Sequence, residues 1–274
     1  MGDVAPVADE LLSIAVQVAR QGAATARQMR AGGISGVSTK STDTDVVTAA
    51  DRAVERQVVD ELRRLRPGDS VLGEEYGTAG QGGPAAGASV RWILDPIDGT
   101  VNYLYGLPQY ALSLAAEVDG VVVAGVVHNP ATGQEWTATR GGGAYRDGRR
   151  LQCSRETALG QCLVGTGFGY DPARRAHQAA VVAQLISQVR DIRRYGAASI
   201  DLCMAAEGAL DAYFEKGLNA WDHAAGGLVA TEAGLRVGGI GGAPAGPDMV
   251  IAAPPALFGP LHDRLAHLDA AGGP

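Results

Sequence analysis

Residues 92–100 read Trp92-Ile93-Leu94-Asp95-Pro96-Ile97-Asp98-Gly99-Thr100. The apolar start predicts a buried strand that delivers Asp95 at its carboxyl end. Proline has no N–H for a ladder, so Pro96 is expected to end the strand and turn the chain, bringing Asp98 back towards Asp95. Two carboxylates held that close repel unless cations lie between them. Gly99-Thr100 is expected at a helix start, where free N–H groups suit a phosphate and glycine allows close approach. Carboxylates for hard cations beside a phosphate cradle describe a metal-assisted hydrolase site. The plainer reading of the same nine residues is a capped strand-to-helix turn with solvated acids.

Further acids stand where strands end or helices begin. Gly73-Glu74-Glu75 follows the short apolar run Val71-Leu72. The segment from Glu215 to Trp221-Asp222 links a strand to a helix and puts Asp222 near that helix's N-terminus. Asp45 and Asp51 flank the start of another helix. Alone, each reads as a solvated acid or a helix cap. Together with Asp95 and Asp98 they read as a ligand set.

Hydrophobic spacing supplies the frame. Leu11, Ile14, Ala15 and Val18 predict a helix over 7–29. Val47, Ala50, Val54, Val58, Leu62 and Leu65 predict a second, stopped by Pro67-Gly68. Val90–Leu94, Ala111–Val118 and Val121–Val127 read as strands of an antiparallel, meander-like sheet, with Asp119-Gly120 as a hairpin turn. Residues 77–88 read as a loose loop. Beyond Leu151 strands and helices alternate: strands at 163–164, 192, 212–214 and 249–252, helices over 179–189, 197–207, 221–233 and 257–268. The expected fold class is a layered α/β protein in two halves, 1–150 and 151–274, forming one catalytic unit.

Composition narrows the function classes. The chain has 274 residues, 46% of them apolar and 19% charged, which is ordinary for a globular protein. A net charge of −7 without a basic run gives no nucleic-acid footprint. No apolar run reaches the roughly 18 residues of a membrane span, and the acids Asp3, Asp9 and Glu10 do not suit a signal peptide. The three cysteines, Cys153, Cys162 and Cys203, show no CxxC spacing and read as free thiols of a reducing compartment. The cytoplasm is the expected location.

The run 95–100, with Gly73-Glu74-Glu75 before it and Trp221-Asp222 after it, resembles the inositol monophosphatase family. Lys40, Asp45, Val47-Thr48, Asp51, Asn102-Tyr103, Gly106, Pro108 and Gly196-Ala197-Ala198 extend the likeness from the first helix to about Ala252. The resemblance implies an α-β-α-β-α sandwich of the inositol monophosphatase and fructose-1,6-bisphosphatase type. It implies Mg²⁺, two or three ions per site. Glu74, Asp95 and the Ile97 carbonyl would hold the first ion, Asp95, Asp98 and Asp222 the second, and Glu74 a weaker third through water. Thr100, oriented by Asp51, would position the attacking water, and the N–H groups of Gly99 and Thr100 would hold the phosphate. Glu215 and the Ala198 backbone would meet the substrate's alcohol end. The implied reaction is hydrolysis of inositol 1-phosphate or another phosphorylated cyclitol or sugar, with lithium inhibition and a homodimer. Tyr76 and the glycine-rich 165–169 depart from the pattern.

Alternatives within the class are fructose 1,6-bisphosphate, histidinol phosphate or a nucleotide 3′-phosphate as substrate. A different class is a non-catalytic regulatory protein of the same fold, which would be expected to lack a ligand that is present here. The Gly165–Gly169 run hints at a dinucleotide fold, but its spacing is GxGxG and Pro172 is expected to delay the helix. No Gly-x-Ser-x-Gly elbow occurs. His223 beside Asp222 points about 100° away on a helix and reads as structural. Arg190, Arg193 and Arg194 read as a solvated or interface edge.

Overall fold

The computed structural model describes residues 4–34, 36–40, 42, 46–79 and 89–274. Asp45 and most of the loop expected over 77–88 lie outside them. The chain opens with helix α1 (Val4–Ala31), a two-stranded pair β1 (Ser38–Thr39) and β2 (Val46–Val47), and helix α2 (Ala49–Leu65). Strands β3 (Ser70–Gly73), β4 (Gly77–Ala79) and β5 (Val90–Asp98) lead to the short helix α3 (Thr100–Tyr105). Then come β6 (Ala111–Val118), β7 (Val121–His128), β8 (Glu135–Thr139), β9 (Gly143–Arg146) and β10 (Arg149–Arg150). The remainder runs β11 (Leu163–Thr166), α4 (Pro172–Leu185), β12 (Asp191–Arg193), α5 (Ala198–Ala206), β13 (Ala212–Glu215), α6 (Ala220–Glu232), β14 (Arg236–Gly238), β15 (Val250–Ala253) and α7 (Pro255–His267).

An eight-stranded sheet has the order β10-β9-β8-β7-β6-β5-β3-β4, and a five-stranded sheet the order β12-β11-β13-β15-β14. Side chains alternate across a strand, so a strand covered on both faces is apolar at every position. β5 and β6 show this. Trp92, Leu94, Leu112 and Leu114 face Leu11, Ala15, Val18, Val54 and Val58 of α1 and α2. Ile93, Ala111 and Ala115 face Ile200, Ala224, Ala225 and Leu228 of α5 and α6. Leu202 and Ala205 of α5 also pack on Tyr213, Val250 and Ala252 of the smaller sheet. The far face of that sheet, with Val164, Phe214 and Ile251, is closed by Val181 and Leu185 of α4 and by Leu257 and Leu261 of α7. Five layers result, α-β-α-β-α, with α5 and α6 between the sheets. Leu114 is fully buried, and truncating it to alanine is expected to cost about 2–5 kcal/mol. Gly226 lets the central pair approach: a Cβ there would lie 3.0 Å from the Ser199 carbonyl.

Several expectations are corrected. The first sheet is not antiparallel throughout, since β3 and β5 run parallel. Gly77–Ala79 is not loop but strand, paired antiparallel with β3. Helix α4 starts at Pro172, not near 179, because Asp171 caps it, accepting from the Arg174 N–H at 2.8 Å. Proline at the first helical position needs no N–H partner, so it initiates the helix instead of delaying it.

Candidate active site

Pro96 does not end β5. The strand runs on to Asp98, and its register with β6 shifts: Asp95 pairs with Ser113 and Asp98 with Ala111, three steps against two. That is a β-bulge, with Pro96 and Ile97 lacking partners on β6. In a regular strand, positions i and i+3 face opposite sides. The extra residue restores the parity, so both carboxylates reach one site. Proline is at home in such a bulge, having no donor to leave unpaired. The Ile97 N–H is satisfied locally by Asp95 Oδ1 at 3.0 Å. Gly99 then turns the chain into α3 with φ +88°, and a Cβ there would lie 2.9 Å from the Gln109 carbonyl.

Parallel pairing of β3 with β5 brings Glu74 to the same end of the sheet, its N–H donating to the Leu94 carbonyl at 3.2 Å. Buried Glu55 of α2 props this turn from beneath, accepting from the N–H groups of Glu75 (2.9 Å) and Tyr76 (3.0 Å). Lys40 donates to Glu74 at 2.8 Å and also pairs with Glu75. Burial opposes the Lys40 charge, but the two glutamates outweigh it and raise its pKa. Burial also pushes Glu74 up to about 7 against the pull of Lys40.

Two helix starts supply the other acids. Thr48 caps α2 and forms a reciprocal box with Asp51, whose Oδ2 accepts from the Thr48 N–H (2.8 Å) and hydroxyl (2.5 Å). Asp51 Oδ1 remains for the Thr100 hydroxyl at 3.0 Å. That hydroxyl also lies 3.1 Å from the Ile97 carbonyl, and its single proton serves one acceptor at a time. Asn219 and Asp222 form a matching box on α6, where Asp222 Oδ2 accepts from the Asn219 N–H at 2.6 Å.

Asp98 is fixed by a residue the sequence did not flag. Its Oδ2 accepts from the N–H (2.7 Å) and hydroxyl (2.5 Å) of Ser199, in the first turn of α5. One oxygen from each of Asp95, Asp98 and Asp222 lies within 4.8 Å of the others. Glu74 stands outside that trio but is near enough to Asp95 to repel it. Burial, then repulsion from Glu74, Asp98 and Asp222, pushes Asp95 well above the usual carboxylate range. Asp222 moves the same way, from burial and then Asp98. Asp98 is raised by burial although Ser199 opposes the shift. Acids this crowded stay charged at neutral pH only with cations among them, so oxygen donors of this number and hardness fit divalent ions.

These residues open on a cleft of about 440 Å³ lined by Glu74, Asp98, Gly99, Ala198, Glu215 and Asp222. Glu215 ends β13 and accepts from the Tyr213 hydroxyl at 2.5 Å. Burial pushes it up to about 7. Arg194, expected on a solvated edge, instead lines the cleft. Its charge favours the ionised forms of Asp98 and Glu215. Arg193, next to it, pairs outward with Asp191. Ser199, Glu55 and Arg194 were missed because their partners lie far along the chain. For Ser199, a hydroxyl at a helix start was the available signal.

A cluster of buried carboxylates kept ionised only by hard cations is the hallmark of metal-dependent hydrolases of anionic esters. The chain matches the inositol monophosphatase family over residues 7–267, and it belongs to that family. It is 45% identical over 268 residues to the inositol-1-monophosphatase of Mycobacterium leprae, covering 91% of each chain. It superposes on Mycobacterium tuberculosis SuhB with a TM-score of 0.81 at 40% identity, covering 96% of this chain and 98% of the other. For the extragenic suppressor protein SuhB of Bartonella henselae the TM-score is 0.86 at 32% identity, covering 93% and 98%. The family is metal-dependent, and the acid cluster described above can hold metal. No helix among the described residues is long and apolar enough to cross a membrane.

Proposed function

We propose that this protein hydrolyses the phosphate monoester of a small cyclitol or sugar, with inositol 1-phosphate as the first candidate, releasing inositol and phosphate. The observation that carries this reading is the trio Asp95, Asp98 and Asp222, with oxygens within 4.8 Å of one another. The relatives named as inositol-1-monophosphatases support the choice of substrate.

Magnesium is the proposed ion, two or three per site. Glu74, Asp95 and the Ile97 carbonyl would hold one, Asp95, Asp98 and Asp222 a second, and Glu74 a third through water. Bound there, Mg²⁺ would neutralise phosphoryl oxygens and lower the pKa of a coordinated water. The residues supply the rest. Asp51 accepts the Thr100 proton, which turns the Thr100 lone pairs towards a water and makes that pair a positioned base. The Gly99 and Thr100 N–H groups hold the phosphate, while Glu215 and the Ala198 backbone meet substrate hydroxyls. A cytoplasmic homodimer is also proposed, with exposed Tyr105 at the end of α3 and Leu107 just beyond it as contact residues.

The test is a side-by-side rate comparison in Mg²⁺ on inositol 1-phosphate, histidinol phosphate, fructose 1,6-bisphosphate and a nucleotide 3′-phosphate. Inositol 1-phosphate is expected to turn over, and Asp98→Asn to lose on the order of 10²-fold in rate, about 3 kcal/mol. A hundredfold preference for the nucleotide would overturn the substrate, and a fully active Asp98→Asn would remove Asp98 from the metal set.

A further inference from the structure

Arg194 lines the cleft together with Asp98, Ala198 and Glu215, and its place there is set from behind. Asn102 of α3 donates to the carbonyls of Gln109 (2.6 Å) and Tyr195 (2.7 Å), which ties down the residue that follows Arg194. Gly196 then turns the chain with φ +88°, a conformation that favours glycine. A Cβ at Gly196 would lie 2.4 Å from Arg194 Nη1 and 3.1 Å from the Asn102 amide nitrogen. The missing side chain lets the guanidinium fold back over this turn and into the cleft.

Its charge favours the ionised forms of Asp98, Glu215 and buried Asp201. Yet Arg194 makes no hydrogen bond or ion pair with any described residue, whereas its neighbour Arg193 pairs with Asp191 and Lys40 with Glu74. Its N–H groups, five donors in a fixed fork, therefore remain for a ligand. The Asp98 and Glu215 carboxylates can only accept when ionised, but each hydroxyl of a polyol both donates and accepts. An arginine fork supplies the donors that such acids lack, and it can span two neighbouring oxygens. We propose that Arg194 reads the alcohol portion of the substrate by donating to its hydroxyl oxygens while Glu215 accepts from its hydroxyls, so that the site selects polyol monophosphates over esters of apolar alcohols. This rests on the reading of the site as a phosphate-ester hydrolase and names the feature of the alcohol that it selects.

The test compares inositol 1-phosphate with cyclohexyl phosphate, the same ring without hydroxyls, in saturating Mg²⁺. Arg194→Met removes every donor. It should lower kcat/KM at least tenfold for the inositol ester and less than threefold for the cyclohexyl ester. Arg194→Lys keeps the charge but not the fork, and should lose at least threefold of the wild-type ratio between the two esters. Should the methionine variant misfold, the lysine variant carries the test. An equal loss on both esters would place Arg194 on the phosphate or on the acids alone and overturn the proposal, as would no loss on either. If neither ester turns over, the hydrolase reading fails, and calorimetry with the two corresponding phosphonates decides the contact. Tighter binding of the inositol phosphonate that disappears in Arg194→Met would uphold it, and equal binding of the two would sink it.

Discussion

The starts of α2 and α6 use the same device and end in different chemistry. Each places an aspartate three residues into a helix, and each aspartate gives one oxygen to its cap, Asp51 to Thr48 and Asp222 to Asn219. They differ in what meets the other oxygen. Asp51 is fully buried and hands it to the Thr100 hydroxyl, so every contact it makes is with a donor. Asp222 offers an oxygen within 4.8 Å of oxygens of Asp95 and Asp98, and Asp98 leads the acids that repel it. A capping box thus delivers an oriented carboxylate, and the neighbours decide whether that carboxylate orients a proton or needs a cation.

Charge removal should separate the two. Asp222→Asn keeps the cap acceptor and removes a charge the cluster needs to bind cations. We expect a rate loss of about 10³-fold, near 4 kcal/mol in the barrier. The metal-free melting temperature should be unchanged or higher, because repulsion is relieved. A lower metal-free Tm would show that Asp222 is structural. Asp51→Asn should cost about 10²-fold in rate, with Mg²⁺ affinity within a few-fold of wild type, and should lower the Tm, since a donor amide would oppose the Thr48 or Thr100 hydroxyl. Calorimetric loss of Mg²⁺ binding in this variant would make the two aspartates equivalent and end the contrast.

A smaller effect is expected at Ser199. Ser199→Ala removes one of two donors to Asp98 Oδ2 and leaves the N–H. We expect a five- to tenfold fall in rate, mostly recovered at high Mg²⁺, and Ser199→Thr should retain more activity than the alanine variant. An alanine variant whose Mg²⁺ dependence matches wild type would remove the positioning role.

The smallest effect is on stability against pH in metal-free protein. Burial raises Glu215 to about 7 when folded, against roughly 4.3 unfolded. Between those values the folded state binds more protons, so stability present at pH 4 is lost as pH rises to 7. The Tm should drop by a few degrees over that window, and less in Glu215→Gln. An identical slope in the variant would show that Glu215 does not titrate there.

What the sequence made legible follows from how locally each feature is encoded. The helix at 49–65 and the strands at 90–94, 111–118 and 121–127 carry their pattern in consecutive residues. The acid set around Asp95 was legible because each acid sits at a strand end or helix start. Glu135–Thr139 went unread because its five residues mix charge, aromatic and threonine without an apolar run. The start of α4 was misplaced by weighing Pro172 without its capping Asp171. Ser199 touches Asp98 from 101 positions away, and no periodicity within one chain reports such a contact.

The bulge in β5 has a consequence for residue number, not only residue type. Because Pro96 and Ile97 have no partner on β6, the Ile97 carbonyl is released from the ladder and turns to Thr100. Deleting Pro96 would leave the two aspartates two positions apart, and the ordinary pleat would still carry both to one face. The freed carbonyl would go back into the sheet. One surplus residue therefore adds a neutral oxygen to a pair of anions, and a shortened strand would keep the charge of the site while giving up the carbonyl proposed as a ligand.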